Sequence, residues 1–336
     1  MFEAILSGMR DGAIVIDDAD GIIYSNQSFL DHFSLSRGDV IGKRLLEVIR
    51  LPELAELAAA AREADTPLEK EIRVIYPEEK IFSCSVSLIE TEEGEPAVIA
   101  LIFHDISEIK KLENLRSEFV ANVSHELKTP LTAIRGYVET LIDGAINDQA
   151  HNREFLQKID KNTQNLSALI DDLLQLSSLE ARRGLEPFAE VELGQEIDRV
   201  IETLAGKLKT KAIMIERPAP CRLFGDANLI YRALLNLVDN AVNYSPAGGK
   251  VEIGCRKAEK TMEVSVKDQG AGISAEHLPR LFERFYRVDK ARSRDQGGTG
   301  LGLSIVKHIM EIHGGSVRVE SEVGRGSKFT LVFPSR

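Results

Sequence analysis

A long stripe of apolar residues at helical spacing, between residues 108 and 183, constrains the fold more than any other feature of this chain. The stripe has two halves, separated by the turn-forming sequence DGAIND at 143–148 and closed by Gly184 and Pro187. The first half steps mostly by three and four over about nine helical turns, through Ile109, Leu112, Phe119, Val123, Leu127, Pro130, Ile134, Val138 and Leu141. The second half contains Phe155, Ile159, Leu166, Leu169, Leu173, Leu176 and Leu179. This spacing predicts two long amphipathic helices in a hairpin.

A hairpin of two such helices cannot cover its own apolar stripes. We therefore expect residues 108–185 to pair with the same segment of a second chain, which gives a homodimer held by an antiparallel four-helix bundle. Pro130 lies inside the first stripe and should bend that helix.

Shorter elements flank the hairpin on both sides, so the predicted fold class is multidomain α+β. Residues 1–107 are predicted to form an antiparallel α+β domain, with hairpins at GAIVIDDADGIIYSN and LIETEEGEPAVIALIFHDIS and a helix at LPELAELAAAAREA. From Lys80 to Ile89 apolar residues alternate with serines, which predicts Cys84 in the core. Residues 186–336 combine a helix capped by Asp226 with the strands KVEIGC, TMEVSVKD, SVRVESE and SKFTLVFP, which predicts a two-layer α/β sandwich.

Composition excludes several classes of protein. The 336 residues include 42 Lys and Arg against 53 Asp and Glu, and the net charge of −11 argues against a nucleic-acid partner.

The longest apolar run, AVIALIF at 97–103, is too short to span a bilayer, so we expect no membrane contact by this chain itself. We expect that MFEAILSGMRDG is not a signal peptide, because it has an acidic residue in place of a basic n-region and lacks an apolar h-region. We expect a cytoplasmic chain, or the cytosolic portion of a longer, membrane-anchored protein.

The three cysteines are Cys84, Cys221 and Cys255. Their number is odd, they are widely spaced, and the chain has no C-x-x-C pair, so the sequence suggests neither a disulfide framework nor a zinc site. This pattern is typical of a protein in a reducing compartment.

His125 stands out on the first helix because it faces away from the apolar stripe. With Phe119 at 0° and 100° per residue, the apolar residues from Val123 to Leu141 fall between about 20° and 100°, and His125 falls near 240°. A lone exposed histidine usually has no function. Glu126 follows it, however, and could accept a hydrogen bond from one ring nitrogen and so leave the other as a nucleophile, and Thr129 lies on the same exposed face.

Two motifs after residue 230 have the chemistry of a nucleotide site. Asn236, Asn240 and Asn243 share one helix face with Tyr244 beside them, and amide oxygens suit Mg²⁺, which binds few protein groups together with substrate phosphates. Any one of these asparagines could equally be an ordinary polar residue of a half-buried helix. The sequence DQGAGIS places Asp268 at the end of a strand, followed by Gly270 and Gly272, where the backbone can turn close to a ligand. Alone, this pattern also fits a simple connecting turn.

The sequence GGTGLGLSIVKHIMEIHGG predicts a glycine-rich loop opening onto a helix, an arrangement that favours phosphate. It is not the dinucleotide fingerprint, because Leu303 occupies the position of the third glycine, and the chain has no Walker A loop. Before it lies LFERFYRVDKARSRD, with aromatic residues among the basic residues Arg284, Arg287, Lys290, Arg292 and Arg294. This segment could be a solvated face; between two ligand loops we expect a mobile cover over phosphates.

The sequence FVANVSHELKTPLTAIRGYVETL, at 119–141, closely resembles the phosphoacceptor box of HisKA-type sensor histidine kinases. The resemblance implies that His125 is phosphorylated on a ring nitrogen, that Glu126 acts as base, and that Thr129 supports dephosphorylation of the partner. The partner it implies is a response regulator that accepts the phosphoryl group on an aspartate. Sensor kinases of the phosphate-regulon type are the most similar in arrangement.

The C-terminal motifs, with the late GRGSKF, resemble in order the N, G1, F, G2 and G3 boxes of the histidine-kinase ATP-binding domain, which belongs to the gyrase and Hsp90 superfamily. The resemblance implies ATP and Mg²⁺ as cofactors, Asn240 and Asn236 as metal ligands, Asp268 as adenine acceptor, and Arg287 near the γ-phosphate. The nucleotide contacts it implies are Asn236, Asn240, Asn243, Tyr244, Asp268, Gly270, Gly272, Phe282, Phe285, Gly298, Thr299, Gly300, Leu301 and Gly302. Asn243 departs from the family pattern, in which many members have Lys there.

The first segment resembles a PAS sensor domain, including DIS at 105–107, which leads into the helix. The expected organisation is therefore a sensor domain at 1–107, a dimerisation and phosphotransfer hairpin at 108–185, and an ATP-binding domain at 186–336. Residues 106–119 are expected to form continuous helix, so a rearrangement of the PAS domain would rotate or bend the helix that carries His125.

Three functions fit this organisation to different degrees. The favoured one is an ATP-dependent histidine autokinase that phosphorylates, and also dephosphorylates, a response regulator. A related ATPase is the first alternative, but the superfamily's water-activating Glu is replaced by Asn236, which cannot act as a base. The second alternative is a PAS-based dimeric binding module with a silent kinase domain; intact His125, Asn240 and Asp268 argue against it.

Overall fold

The computed structural model describes residues 8–64, 66–89, 97–181, 187–288 and 298–335. The chain divides into two compact units, Met1–Val120 and Ala121–Arg336. The second unit therefore combines most of the predicted hairpin with the C-terminal segment. Among the described residues, no helix combines the length and the apolar character that a membrane crossing requires.

The first unit is built on a five-stranded antiparallel sheet with the order β2-β1-β5-β4-β3. Its strands are β1 Gly12–Ile16, β2 Ile22–Ser25, β3 Leu68–Val74, β4 Lys80–Ile89 and β5 Val98–Asp105, and its helices are α1 Gln27–Phe33, α2 Leu45–Val48 and α3 Pro52–Ala61. Both predicted hairpins and the predicted helix are confirmed. The turn expected in the second hairpin, at 90–96, lies outside the described residues.

Aromatic side chains fill the core of this unit. Phe29, Phe33, Phe82 and Phe103 contact one another, with ring centroids from 4.7 to 6.2 Å apart. Cys84 is fully buried beside them, as the alternation in β4 predicts, and burial raises the pKa of its thiol to about 12. Its thiol is therefore an inert part of the core.

The predicted helical hairpin is confirmed. It consists of α4, Ser107–Ile142, and α5, Asn152–Glu180, joined through a short 3₁₀ turn at Ala145–Asn147. Pro130 lies inside α4, which nevertheless continues as one helix. Leu141, Leu169, Leu176 and Leu179 are buried, whereas many other apolar residues of both helices are exposed in the single chain.

The C-terminal segment forms the predicted α/β sandwich. Its main sheet has the order β11-β12-β10-β9-β7, with β7 parallel to β9, and β6 pairs with β8 in a small second sheet. The strands are β6 Ala189–Glu192, β7 Met214–Glu216, β8 Arg222–Gly225, β9 Lys250–Lys257, β10 Thr261–Lys267, β11 Ser316–Glu322 and β12 Gly326–Pro334; the helices are α6 Leu193–Lys211, α7 Ala227–Tyr244 and α8 Gly302–Ile312. Asp226 caps α7 as predicted, because its side chain accepts from the Leu229 N–H at 3.1 Å.

The cysteines of this segment correct a prediction. Cys221 and Cys255 form a disulfide, with their Cα atoms 6.7 Å apart and a sequence separation of 34. The expectation of unpaired cysteines was wrong for these two. The pairing depends on tertiary topology: Cys221 directly precedes β8 and Cys255 lies in β9, and the spacing of cysteines along the chain carries no signal of this approach.

A buried histidine ties α8 to the start of α7. The Nε2 atom of His313 accepts from the backbone N–H of Asp226 at 3.1 Å, so Nδ1 carries the proton and donates to the Ile309 carbonyl at 2.8 Å. The ring stacks on Phe188 at 4.7 Å, and a Cβ at Gly225 would lie only 2.6 Å from Nε2. Burial lowers the pKa of His313, outweighing its hydrogen bond to Ile309 and the charge of Asp226.

This lowered pKa predicts an acid-sensitive C-terminal segment. Because the unfolded chain binds the proton more readily than the folded one, the stabilisation by His313 is present above the ordinary histidine pKa of about 6.5 and is lost as pH falls below it towards the lowered pKa of the folded state. His313→Gln should lower the free energy of unfolding by about 1–3 kcal/mol near neutral pH. It should also make the free energy of unfolding fall less steeply as the pH is lowered.

Calorimetric unfolding of the full chain at several pH values tests this, with His308→Gln on the same helix as the matched control. The control should keep the wild-type pH dependence. If His313→Gln loses stability with acid as steeply as the wild type, His313 is not the responsible group.

Candidate functional site

His125 projects from α4 with 70% of its side chain exposed, as its position opposite the apolar stripe predicts. Its Nδ1 atom lies 3.9 Å from Oε1 of Glu126, which is ion-pair range but too long for the expected hydrogen bond. The Thr129 hydroxyl donates to the backbone carbonyl of His125 at 3.1 Å. Thr129 thus bonds to the helix backbone one turn from the histidine ring, on the same exposed face.

Glu126 also reaches the C-terminal segment. Its other carboxylate oxygen, Oε2, lies 4.0 Å from Nη1 of Arg287, whose side chain is only 11% exposed. One carboxylate therefore lies between the ring of His125 and the guanidinium of Arg287. The structure brings together these three residues, which the sequence assigned to two different motifs.

The glycine-rich loop of Gly298, Thr299, Gly300, Leu301 and Gly302 begins α8 and is anchored on two sides. Gly300 has φ of +75°, and its carbonyl accepts from the N–H of Phe285, which itself has φ of +62°. A Cβ at residue 300 would lie 2.9 Å from the Cα of Phe285, so only glycine allows this approach. Leu301 is fully buried.

The second anchor of the loop is Thr299. Its hydroxyl donates to Oδ2 of Asp172 on α5 at 2.6 Å and accepts from the Leu301 N–H at 3.2 Å. Burial raises the pKa of Asp172, and the hydrogen bond from Thr299 opposes this shift. Sequence reasoning missed Asp172. The sequence did contain a signal for it, because Asp172 lies three residues after Leu169 and four before Leu176 and is thus a carboxylate inside an apolar stripe.

The asparagines of α7 differ in their surroundings. The Nδ2 of Asn236 donates to the Arg232 carbonyl at 3.1 Å, and its Oδ1 would lie 2.8 Å from a Cβ at Gly302, so the amide oxygen faces the start of α8. Asn240, one turn later, is half-buried. Asn243 instead donates to Oδ2 of Asp239 at 3.1 Å, so it is engaged with its own helix.

Asp268 is buried at the end of β10. Its Oδ1 accepts from the backbone N–H of Gly270 at 2.8 Å and of Ser327 at 3.1 Å, which leaves Oδ2 outside these two bonds. Burial raises the pKa of Asp268, and the two backbone hydrogen bonds oppose the rise.

The two glycines after Asp268 are required by the protein's own backbone. A Cβ at Gly270 would lie 2.8 Å from the Tyr244 carbonyl, and one at Gly272, with φ of +71°, would lie 2.0 Å from the Glu322 carbonyl. Close packing therefore explains both glycines without a ligand. Tyr244, at the end of α7, is 54% exposed.

The aromatic and basic segment before the loop is only partly described. Phe282 and Phe285 are half-buried, and Arg284 forms an ion pair with Glu180, the last residue of α5. Sequence reasoning missed Glu180 as well. Lys290, Arg292 and Arg294, which were expected to complete a cover, lie outside the described residues.

Comparison with family models gives three matches along the chain. Residues 11–108 match a PAS domain, residues 115–182 match the His Kinase A (phospho-acceptor) domain, and residues 225–336 match the histidine kinase-, DNA gyrase B- and HSP90-like ATPase. The residues described above thus fall in a phospho-acceptor match and an ATPase match.

Curated relatives match almost the entire chain. The sensor-like histidine kinase SenX3 of Mycolicibacterium smegmatis is 34% identical, over 99% of this chain and 85% of the relative. The sensor histidine kinase WalK of Bacillus subtilis is 32% identical, over 98% of this chain and 54% of the relative, so the chain spans about half the length of that protein.

Solved structures show the same fold. The Acinetobacter baumannii histidine kinase AdeS matches with a TM-score of 0.51 and 26% identity, over 62% of this chain and 97% of that chain. Histidine kinase ThkA, solved in complex with response regulator protein TrrA, matches with a TM-score of 0.54 and 24% identity, over 99% of this chain and 98% of that chain.

The contact between Gly302 and Asn236 predicts the effect of one added methyl group. Gly302→Ala places a Cβ against the amide oxygen of Asn236, so we expect the affinity for ATP with Mg²⁺ to fall at least about tenfold. Gly206→Ala on α6 is the matched control, because a Cβ there meets no atom within 4 Å. Calorimetric titration with a non-hydrolysable ATP analogue measures both; equal affinities would show that Asn236 does not face the nucleotide.

Proposed function

This chain belongs to the sensor histidine kinases, and we propose that it transfers the γ-phosphoryl group of ATP to His125 and then to an aspartate of a response regulator. The observation that carries the proposal is the position of Glu126 between His125 and Arg287. It joins an exposed nucleophile, a carboxylate and a cation from the ATP-binding segment at one point.

In the first step a ring nitrogen of His125 attacks the γ-phosphorus in line with the leaving oxygen. The new N–P bond forms as the P–O bond to the β-phosphate breaks, and ADP leaves. Glu126 stabilises the imidazolium that develops and then accepts its proton. Arg287 stabilises the negative charge of the phosphoryl group in transfer. Thr129, on the same face, is our proposed participant in dephosphorylation of the regulator.

The nucleotide is proposed to bind between α7, Asp268 and the glycine-rich loop. Oδ2 of Asp268 can accept from the exocyclic amino group of adenine, since the two backbone amides use Oδ1. The free N–H groups at the start of α8 favour phosphate. Because Asn243 is bonded to Asp239, we assign it no phosphate contact.

Mg²⁺ fits the α7 asparagines on the chemistry of their donors. The amide of Asn236 is oriented by its bond to Arg232 so that its oxygen faces the glycine-rich loop, and Asn240 lies one turn further along α7. A bound Mg²⁺ neutralises phosphate charge and keeps several waters, which matches a site with few protein oxygens. Asn236 and Asn240 would hold it.

We propose that the PAS domain regulates this reaction through α4. The helix begins at Ser107, directly after β5, where Ile106 donates to the Ile81 carbonyl and Lys110 pairs with Glu71 of β3. From there α4 continues without a break to His125. A change in the sheet can therefore rotate the helix that carries the nucleophile.

We further propose that the chain is a homodimer through residues 108–185. Large apolar side chains on the two helices are exposed in the single chain, including Leu112 at 67%, Leu131 at 59% and Leu174 at 65%. Exposed apolar surface of this extent marks an interaction site. Light scattering at micromolar concentration should give twice the chain mass; a monomeric mass would contradict the proposal.

Labelling with γ-labelled ATP tests the kinase assignment. Wild-type protein should incorporate label that is stable to alkali and lost in mild acid, as expected for a phosphorus–nitrogen bond, and His125→Ala should incorporate none. His151→Ala is the matched control, because His151 is an exposed histidine of the same hairpin, and it should label normally. Label on His125→Ala, or label that survives mild acid, would overturn the assignment. An unlabelled wild type that still binds ATP would favour a silent binding module.

A further inference from the structure

Among the described residues, three polar contacts join the ATP-binding segment to the hairpin of its own chain. Arg287 approaches Glu126 on α4, Thr299 donates to Asp172 on α5, and Arg284 pairs with Glu180 at the end of α5. The three donors come from two motifs of the ATP-binding segment, the aromatic and basic segment and the glycine-rich loop. The three acceptors are carboxylates of both hairpin helices.

These contacts place the proposed phosphate-binding groups beside the chain's own nucleophile. Thr299 belongs to the glycine-rich loop and Arg287 lies beside it at Gly298, and Glu126, which faces Arg287, is the neighbour of His125 in sequence and in space. Hydrophobic packing reinforces the hydrogen bond to Asp172, since Leu301 is fully buried and Leu176 and Leu179 of α5 are buried. The site is thus assembled from one chain.

The short link between the hairpin and the ATP-binding segment agrees with docking on the same chain. Only the five residues 182–186 separate Ala181 from Pro187, a stretch that reaches at most about 20 Å. Arg284 contacts Glu180, one residue before Ala181, where the ATP-binding segment leaves the hairpin. The ATP-binding segment therefore contacts the end of the helix that precedes it in the chain.

We infer that each chain phosphorylates its own His125, so that autophosphorylation takes place within one subunit of the dimer. The inference rests on the proposed kinase function and specifies which histidine receives the phosphoryl group. The bond changes are those of the proposed reaction: the N–P bond forms on the same chain whose Arg287 and glycine-rich loop hold the nucleotide, and ADP leaves from that chain.

Mixed dimers of two defective chains test the inference. The first chain carries His125→Ala and keeps an intact ATP site. The second keeps His125 but carries Asn240→Asp and Asp268→Asn, and each chain has a different affinity tag. The two are coexpressed, purified through both tags in succession, and incubated with γ-labelled ATP and Mg²⁺.

We expect the second chain in the mixed dimer to carry no more label than it does alone. Label on the second chain at a level near half that of the wild type or above would overturn the inference, because only its partner could have supplied the phosphoryl group. Wild-type dimers carrying the same two tags are the positive control. If they too remain unlabelled, the kinase function itself has failed, and this outcome is distinct from failure of the within-chain inference.

Discussion

We propose that phosphoryl transfer depends on one carboxylate, that of Glu126, which has His125 at 3.9 Å from one oxygen and Arg287 at 4.0 Å from the other. Its helix carries His125, the proposed nucleophile, and its negative charge attracts the guanidinium of Arg287 in the ATP-binding segment. Because Arg287 is nearly buried at this point, the attraction is screened less than that of a surface pair. We propose that this contact brings the glycine-rich loop and the asparagines of α7 near His125.

The ion pair between Arg284 and Glu180 adds little to the docking of the ATP-binding segment. Arg284 and Glu180 are both exposed by more than 40%, and a surface pair of this kind contributes about 0–1 kcal/mol.

Local patterns predicted most of the secondary structure and both halves of the site. Helical spacing predicted the hairpin and the exposure of His125, and residue alternation predicted the burial of Cys84. The features that sequence missed depend on contacts between distant segments. The Cys221–Cys255 disulfide requires β9 to lie beside the start of β8, and the role of Asp172 is visible only when Thr299 lies against it. Likewise, the glycines after Asp268 looked like ligand-binding residues, but backbone packing already requires them.

A cross-link between Asp172→Cys and Thr299→Cys measures the docking within one chain most directly. The native cysteines do not interfere, because Cys84 is buried and Cys221 and Cys255 are paired. Isotopically heavy and light chains are mixed, allowed to exchange subunits, oxidised and digested, and the linked peptides are weighed. The account predicts heavy–heavy and light–light peptides only. Heavy–light peptides at the frequency of random pairing would show that the ATP-binding segment docks on the partner chain, and would contradict it.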